Sequence, residues 1–169
     1  TQVARLDRLL SNLLISVQRS EPQLAPVHVG TLLAERVELS LERAQAAGLE
    51  LTLGSAPEGA ALIDVGQIAR AIDNLLLNAI QNTPRGGHVR LAAEVHAGRL
   101  KIEVTDDGRG VPQEIREHLF EPFATGRPDG TGLGLAMARE SIEADGGRLW
   151  ACHQDRGTVF IMELPWRPY

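Results

Sequence analysis

A chain of 169 residues with 43% hydrophobic and 23% charged side chains is long enough for one ordinary domain with its own core, and has the balance of a soluble globular protein. Its formal net charge of −5 argues against a surface built for nucleic acid or anionic membrane. Cys152 stands alone, which excludes an internal disulfide or a cysteine metal cage, and no apolar run approaches the ~18–20 residues of a membrane span.

Taken in order, residues 1–19 place Val3, Leu6, Leu10, Leu13 and Val17 at alternating three- and four-residue steps, widened by Leu9 and Leu14. That spacing predicts a helix with one coiled-coil-type apolar seam, which a lone helix in water must cover with a partner. The chain opens mid-helix without a methionine, as a piece of a longer protein would. Residues 20–26 carry Pro22 and Pro26 without periodicity and read as a linker.

From Thr31 to Ala47 apolar residues recur at helical spacing until Gly48, and 49–53 alternates as a strand does. Residues 61–63 suggest a short strand, Asp64 an N-cap, and Val65–Asn82 a helix stopped by Pro84-Arg85-Gly86-Gly87. Residues 89–95 and 100–104 predict a hairpin about Ala97-Gly98. The long segment 106–129, with three prolines, reads as a functional loop or lid. A helix over 136–145 and a hairpin of 148–154 with 158–164 complete the order, and the tail 166–169 carries no pattern. Strands and helices that cluster rather than alternate predict an α+β fold: one mixed sheet with helices on one face, the other face polar or covered.

Four stretches could carry chemistry. Asn74 and Asn78 share one side of an otherwise apolar helix. An amide oxygen is a suitable hard ligand for Mg²⁺, although surface asparagine is the plain alternative. Asp106-Asp107-Gly108-Arg109-Gly110 follows a strand; a carboxylate there can accept a base amino group while the glycines admit a ring, or the stretch is simply a turn. Phe120 and Phe123, two of the three phenylalanines, are either lid anchors or part of an amphipathic turn. Gly130-Thr131-Gly132-Leu133-Gly134-Leu135 opens a helix, where free N–H groups and the helix dipole attract phosphate; a flexible linker is the bland reading. A P-loop needs Gly-Lys-Ser/Thr, and a dinucleotide fold wants its glycines after the first strand, so neither rival fits.

In this order and spacing the four blocks resemble the ATP-binding catalytic domain of bacterial sensor histidine kinases, within the superfamily that also holds Hsp90-type chaperones, gyrase and mismatch-repair ATPases. Residues 74–79 match the N box, 106–110 the first glycine box, 119–123 the F box and 130–135 the second glycine box. The N-terminal seam is similar to the end of the second dimerisation helix. The resemblance implies a two-layer α/β sandwich (the Bergerat fold) with three helices on one face. It divides the chain into a dimerisation-helix end over 1–20, a linker over 21–29 and an ATP-binding domain over 30–166. It further implies Asn78 as a Mg²⁺ ligand, Asn74 near the phosphates, Asp106 on the adenine amino group and Gly108 and Gly110 along the ring. Gly130, Thr131, Gly132, Leu133 and Gly134 would face the phosphates.

The activity implied is transfer of the γ-phosphoryl group of MgATP to a histidine on a dimerisation helix missing here, in a two-component phosphorelay. The expected partners are the protein's own dimerisation helices, as a homodimer in full length, and a response regulator. The expected location is cytoplasmic, in a parent that can be membrane-anchored, with no direct membrane contact by this segment. Two departures stand out. Gln81 occupies the position of a common phosphate-binding Lys, which makes Arg127 or Arg85 the replacement cation. None of the five histidines precedes an acidic residue, so none is assigned as phospho-acceptor. Hydrolysing members have a Glu at the position of Asn74, and an amide cannot take that proton, so slow hydrolysis is expected. The alternatives are a catalytically silent regulatory nucleotide binder, favoured by Gln81, and a serine kinase of the anti-sigma-factor type, disfavoured by the seam helix.

Overall fold

The computed structural model describes residues 22–126 and 130–169. The seam helix expected over 1–19 and the expected phosphate contact Arg127 lie outside the described residues. Within them the order is β1 (Ala25–His28), α1 (Val29–Ala47), β2 (Glu50–Leu53), β3 (Ala60–Ile63), α2 (Val65–Asn82), β4 (His88–His96) and β5 (Arg99–Asp106). A short 3₁₀ turn (Gln113–His118) precedes α3 (Gly134–Ala144), β6 (Arg148–His153) and β7 (Thr158–Pro165).

The main sheet has the strand order β2-β4-β5-β7-β6. Strands β2 and β4 run parallel and the other neighbours antiparallel, so the sheet is mixed. Helices α1, α2 and α3 lie against β2, β5 and β6 respectively, on one face. The α+β class expected from sequence is the one found.

Why α2 is central follows from its residues. Asp64 accepts the Gln67 N–H at 3.0 Å and so satisfies one of the donors that a helix start leaves free. Ile68, Ala71, Ile72, Leu75, Leu76 and Ala79 then recur at helical spacing, all fully buried. Along β5 the period is two: Leu100, Ile102, Val104 and Asp106 are buried, while Arg99, Lys101, Glu103 and Thr105 between them are half-buried on the opposite face. That outer face carries paired charges along β5, although β7 sets the apolar Val159 and Ile161 on it as well. Lys101 Nζ lies 2.6 Å from Glu103, Arg99 Nε 3.2 Å from Glu163, and Arg148 Nη2 2.9 Å from Glu163.

Two expectations change. Residues 25–28, read as linker, form β1, which pairs antiparallel with β3, and α1 starts directly after it at Val29. Pro26 hid the strand; it is tolerated because a two-stranded edge needs few ladder donors. The tail is not idle either. Leu62 N–H donates to the Arg167 carbonyl at 2.8 Å, Tyr169 N–H to that of Ala60 at 3.0 Å, and Arg167 Nη1 bonds the buried Asp145 Oδ1 at 2.9 Å. The tail thus ties the small sheet to the end of α3.

Candidate nucleotide-binding site

At the end of β5 the chain must leave the sheet, and the register decides what is left facing inward. Asp106 pairs with Val89 of β4 on one side and Thr158 of β7 on the other. Its side chain belongs to the inward set and is only 4% exposed. One oxygen, Oδ1, accepts the Gly108 N–H at 2.9 Å. Burial pushes its carboxyl above the usual 3.8, while hydrogen bonds from the Gly108 and Thr158 main chains pull partly the other way.

Beside it, Asp107 is anchored outward. Its Oδ1 accepts the His88 N–H at 2.8 Å and its Oδ2 sits 3.1 Å from His88 Nδ1. The main-chain bond from His88 holds the Asp107 carboxyl low, and the carboxylate in turn raises the His88 imidazole. The two adjacent aspartates therefore divide the work: one fixes the loop to β4, the other faces a cleft.

That cleft has a volume of about 700 Å³ and runs between α2, the loop after β5, the lid and the start of α3. Asn74, Asn78, Asp106, Gly110, Gly130, Thr131, Gly132 and Gly134, all expected from sequence as site residues, line it together. The asparagines lie along one stripe of α2, and Asn74 faces the first turn of α3, where a Cβ on Gly134 would stand 3.5 Å from Asn74 Oδ1. No side chain caps α3, which leaves its first N–H groups to the cleft.

Other expected residues are placed differently. Gly108 lies behind the wall, its amide given to Asp106 and its Cα side pressed on the main-chain oxygen of Asn82, 2.6 Å from where a Cβ would stand. Leu133 is the residue before α3 and does not line the cleft. Arg85, considered as a phosphate cation, instead lies over Gly48, whose added Cβ would be 2.8 Å from Arg85 Cγ. Gln81 does line the cleft.

The lid is fastened to the second glycine box. Phe123 N–H donates to the Gly132 carbonyl at 2.9 Å, and both residues have positive φ, 69° and 66°. A Cβ on Gly132 would collide with the Phe123 main chain, so only glycine fits there. Phe120 meets Phe160 edge to face at 6.3 Å, with the Arg139 guanidinium 5.9 Å above its ring. Phe120 thus sits as an anchor on the core, whereas Phe123 is held only through its main chain and its ring is exposed.

Sequence reading missed several participants. Asn82, one turn beyond Asn78, lines the cleft, and its i+8 spacing from Asn74 was the available signal. Arg109 is the one Lys or Arg lining the cleft among the described residues. Thr158 and Gly157, read only as hairpin residues, close over Asp106.

A nucleotide with its metal fits this donor set. The buried carboxylate is an acceptor for an amino group at the inner end. Asn78 offers a neutral hard oxygen, and no cluster of three or more His, Cys, Asp or Glu able to hold a metal occurs among the described residues. A cation taken here would draw its other ligands from phosphate and water, which is the habit of Mg²⁺.

Known proteins agree with the geometry. Residues 63–168 match the family of histidine kinase-, DNA gyrase B-, and HSP90-like ATPases. The chain is 33% identical to the sensor protein DivL of Caulobacter vibrioides, over 98% of this chain and 22% of that protein. It is 32% identical to the sensor histidine kinase ZraS of Escherichia coli K12, over 95% of this chain and 35% of ZraS. It thus spans a minor part of these relatives. Among solved structures, full-length ShkA in complex with AMPPNP superposes with a TM-score of 0.84 at 31% identity, covering 98% of this chain and 36% of that one. The histidine kinase ThkA in complex with the response regulator protein TrrA gives 0.79 at 25% identity, covering 99% of this chain and 49% of that one. No helix among the described residues is long and apolar enough to cross a membrane. The chain belongs to the histidine kinase-, DNA gyrase B-, and HSP90-like ATPase family, among the ATP-binding catalytic domains of sensor histidine kinases.

Proposed function

We propose that this cleft binds MgATP and presents its γ-phosphoryl group to a histidine on a dimerisation helix outside this chain. The observation that carries the reading is the joint lining of one cleft by a buried carboxylate, Asp106, and by Asn78, Asn74 and the glycines that open α3. Asp106 accepts the purine amino group. The free N–H groups at the start of α3 take phosphate oxygens. Asn78 Oδ1 would hold Mg²⁺, which would supply charge neutralisation for the triphosphate. Arg109 is the described cation best placed to compensate for Gln81, with Arg127 as a second candidate.

Water is a poor acceptor in this site. Asn74 cannot remove a proton, and Asp73 next to it is turned to Arg36 of α1, whose Nη1 lies 3.4 Å from Asp73 Oδ2. Transfer to an external nucleophile is therefore favoured over hydrolysis. The partners that follow are the dimerisation helices of a homodimeric parent and a response regulator, in the cytoplasm where ATP is available.

Binding of a fluorescent ATP analogue tests the first half: the chain binds in Mg²⁺, and Asp106→Asn weakens binding sharply. Transfer of label from γ-labelled ATP to the parent's dimerisation hairpin, added in trans, tests the second. Gln81, in place of the usual cation, favours a second reading, a silent regulatory nucleotide binder; tight binding with no labelled hairpin would decide for it.

A further inference from the structure

The asparagine stripe of α2 does not stop at Asn78. Asn82 stands four residues further along the same side, half-buried in the lining of the cleft. Its Nδ2 carries two hydrogens. It lies 2.8 Å from the main-chain oxygen of Asn78 and 3.1 Å from Asn78 Oδ1. Both donors are thus spent on one residue. The first bond is the ordinary back-bond of a helical side chain to the carbonyl four residues before it. The second reaches the side-chain oxygen that the proposed function gives to the metal.

An amide oxygen has two lone pairs. Asn82 occupies one and leaves the other free. It also decides which end of the Asn78 amide is oxygen, because the reverse orientation would set N–H against N–H. The misplaced end matters, since an amide NH₂ has donors only and cannot ligate a hard cation. Asn82 is itself braced from behind, where its main-chain oxygen abuts Gly108. The purine loop and the metal end of the cleft therefore meet at this one residue.

We infer that Asn82 is a positioning residue, which fixes the Asn78 amide with its oxygen available to the Mg²⁺ that accompanies ATP. This rests on Asn78 being the metal ligand. The test compares the chain with Asn82→Leu, Asn82→Ala and Asn78→Ala. Affinity for a fluorescent ATP analogue is measured in EDTA and in excess Mg²⁺, and Mg²⁺ is titrated at fixed nucleotide. Both Asn82 variants are expected to need about tenfold more Mg²⁺, as loss of a ligand-orienting partner usually costs, and to lose more affinity in Mg²⁺ than in EDTA. Thermal melts identify any variant that has lost its fold, and the alanine variant stands in for the leucine one if the latter fails. Equal losses in EDTA and in Mg²⁺ would overturn the inference, since a merely structural residue acts that way. So would Asn82 variants that titrate normally while Asn78→Ala does not. If Asn78→Ala also titrates normally, the metal reading of Asn78 falls first, and this inference falls with it.

Discussion

Gly157 lies against the main-chain carbonyl of Asp106 so closely that no Cβ could stand between them, and its φ of +82° is one that other residues rarely adopt. The β6–β7 turn therefore packs directly on the main chain of the buried carboxylate Asp106. Gly157→Ala should cost more than about 1 kcal/mol of stability, because strain and overlap act together. Nucleotide affinity should fall as well, since the overlap falls on the main chain of Asp106. A thermal melt and a binding curve on the same sample check both.

Replacing Asp106 by Asn should move stability and binding in opposite directions. A carboxyl raised by burial is one that the fold would rather keep neutral. Its contribution is fully present below the unfolded value and is lost as pH rises through the raised folded value. Wild-type stability should therefore decline across that window, and the Asp106→Asn variant should lack the slope and melt higher at neutral pH. Its nucleotide affinity should drop roughly 10- to 100-fold, the range for a lost hydrogen bond to a charged group. A variant that melted lower throughout would contradict the burial argument.

Two histidines should titrate on opposite sides of the usual 6.5. The bond to Asp107 raises His88, and burial together with the nearby Arg116 charge lowers His153. The His88 contribution to stability is present below 6.5 and fades as pH climbs through its raised value. For His153 the sense reverses: its contribution is full above 6.5 and is lost as pH falls through its lowered value. Side-chain NMR titration reads both directly; His88→Gln identifies the upper one.

Phe160 and Phe120 touch, yet their removal should do different things. Phe160 is 1% exposed in the core, so Phe160→Ala should cost about 3–5 kcal/mol. Phe120 is half-buried where the lid meets the core, and Phe120→Ala should leave the melting temperature much closer to that of the parent. It should speed proteolysis between 111 and 126 and weaken nucleotide binding. Limited proteolysis followed by mass spectrometry distinguishes the two.

What was legible in the sequence was local. Helix α2 announced both of its ends, through the Asp64 cap and the Pro84 stop, and its apolar period was unbroken. The hairpin about Ala97-Gly98 was equally plain. The four motif blocks named most of the cleft because each one is contiguous. Non-local pairing was hidden. Strand β1 has one inward residue and a proline, and it becomes a strand only because β3, more than thirty residues on, lies beside it. The roles of Gly157 and Thr158 were invisible for the same reason, since the register of β5 with β7 brings them to Asp106. Arg85, weighed as a phosphate cation, lies over Gly48 because a turn sets side-chain direction, while Arg109, given no separate role from sequence, lines the cleft.

The strap formed by Arg167 and Asp145 has a mechanical consequence. It clamps α3 at its carboxyl end, while the opposite end borders the cleft with no capping side chain. A beam held at one end yields at the other. Whatever adjustment a triphosphate demands must then be taken up in the first turn of α3 and the loop before it, sparing the sheet behind.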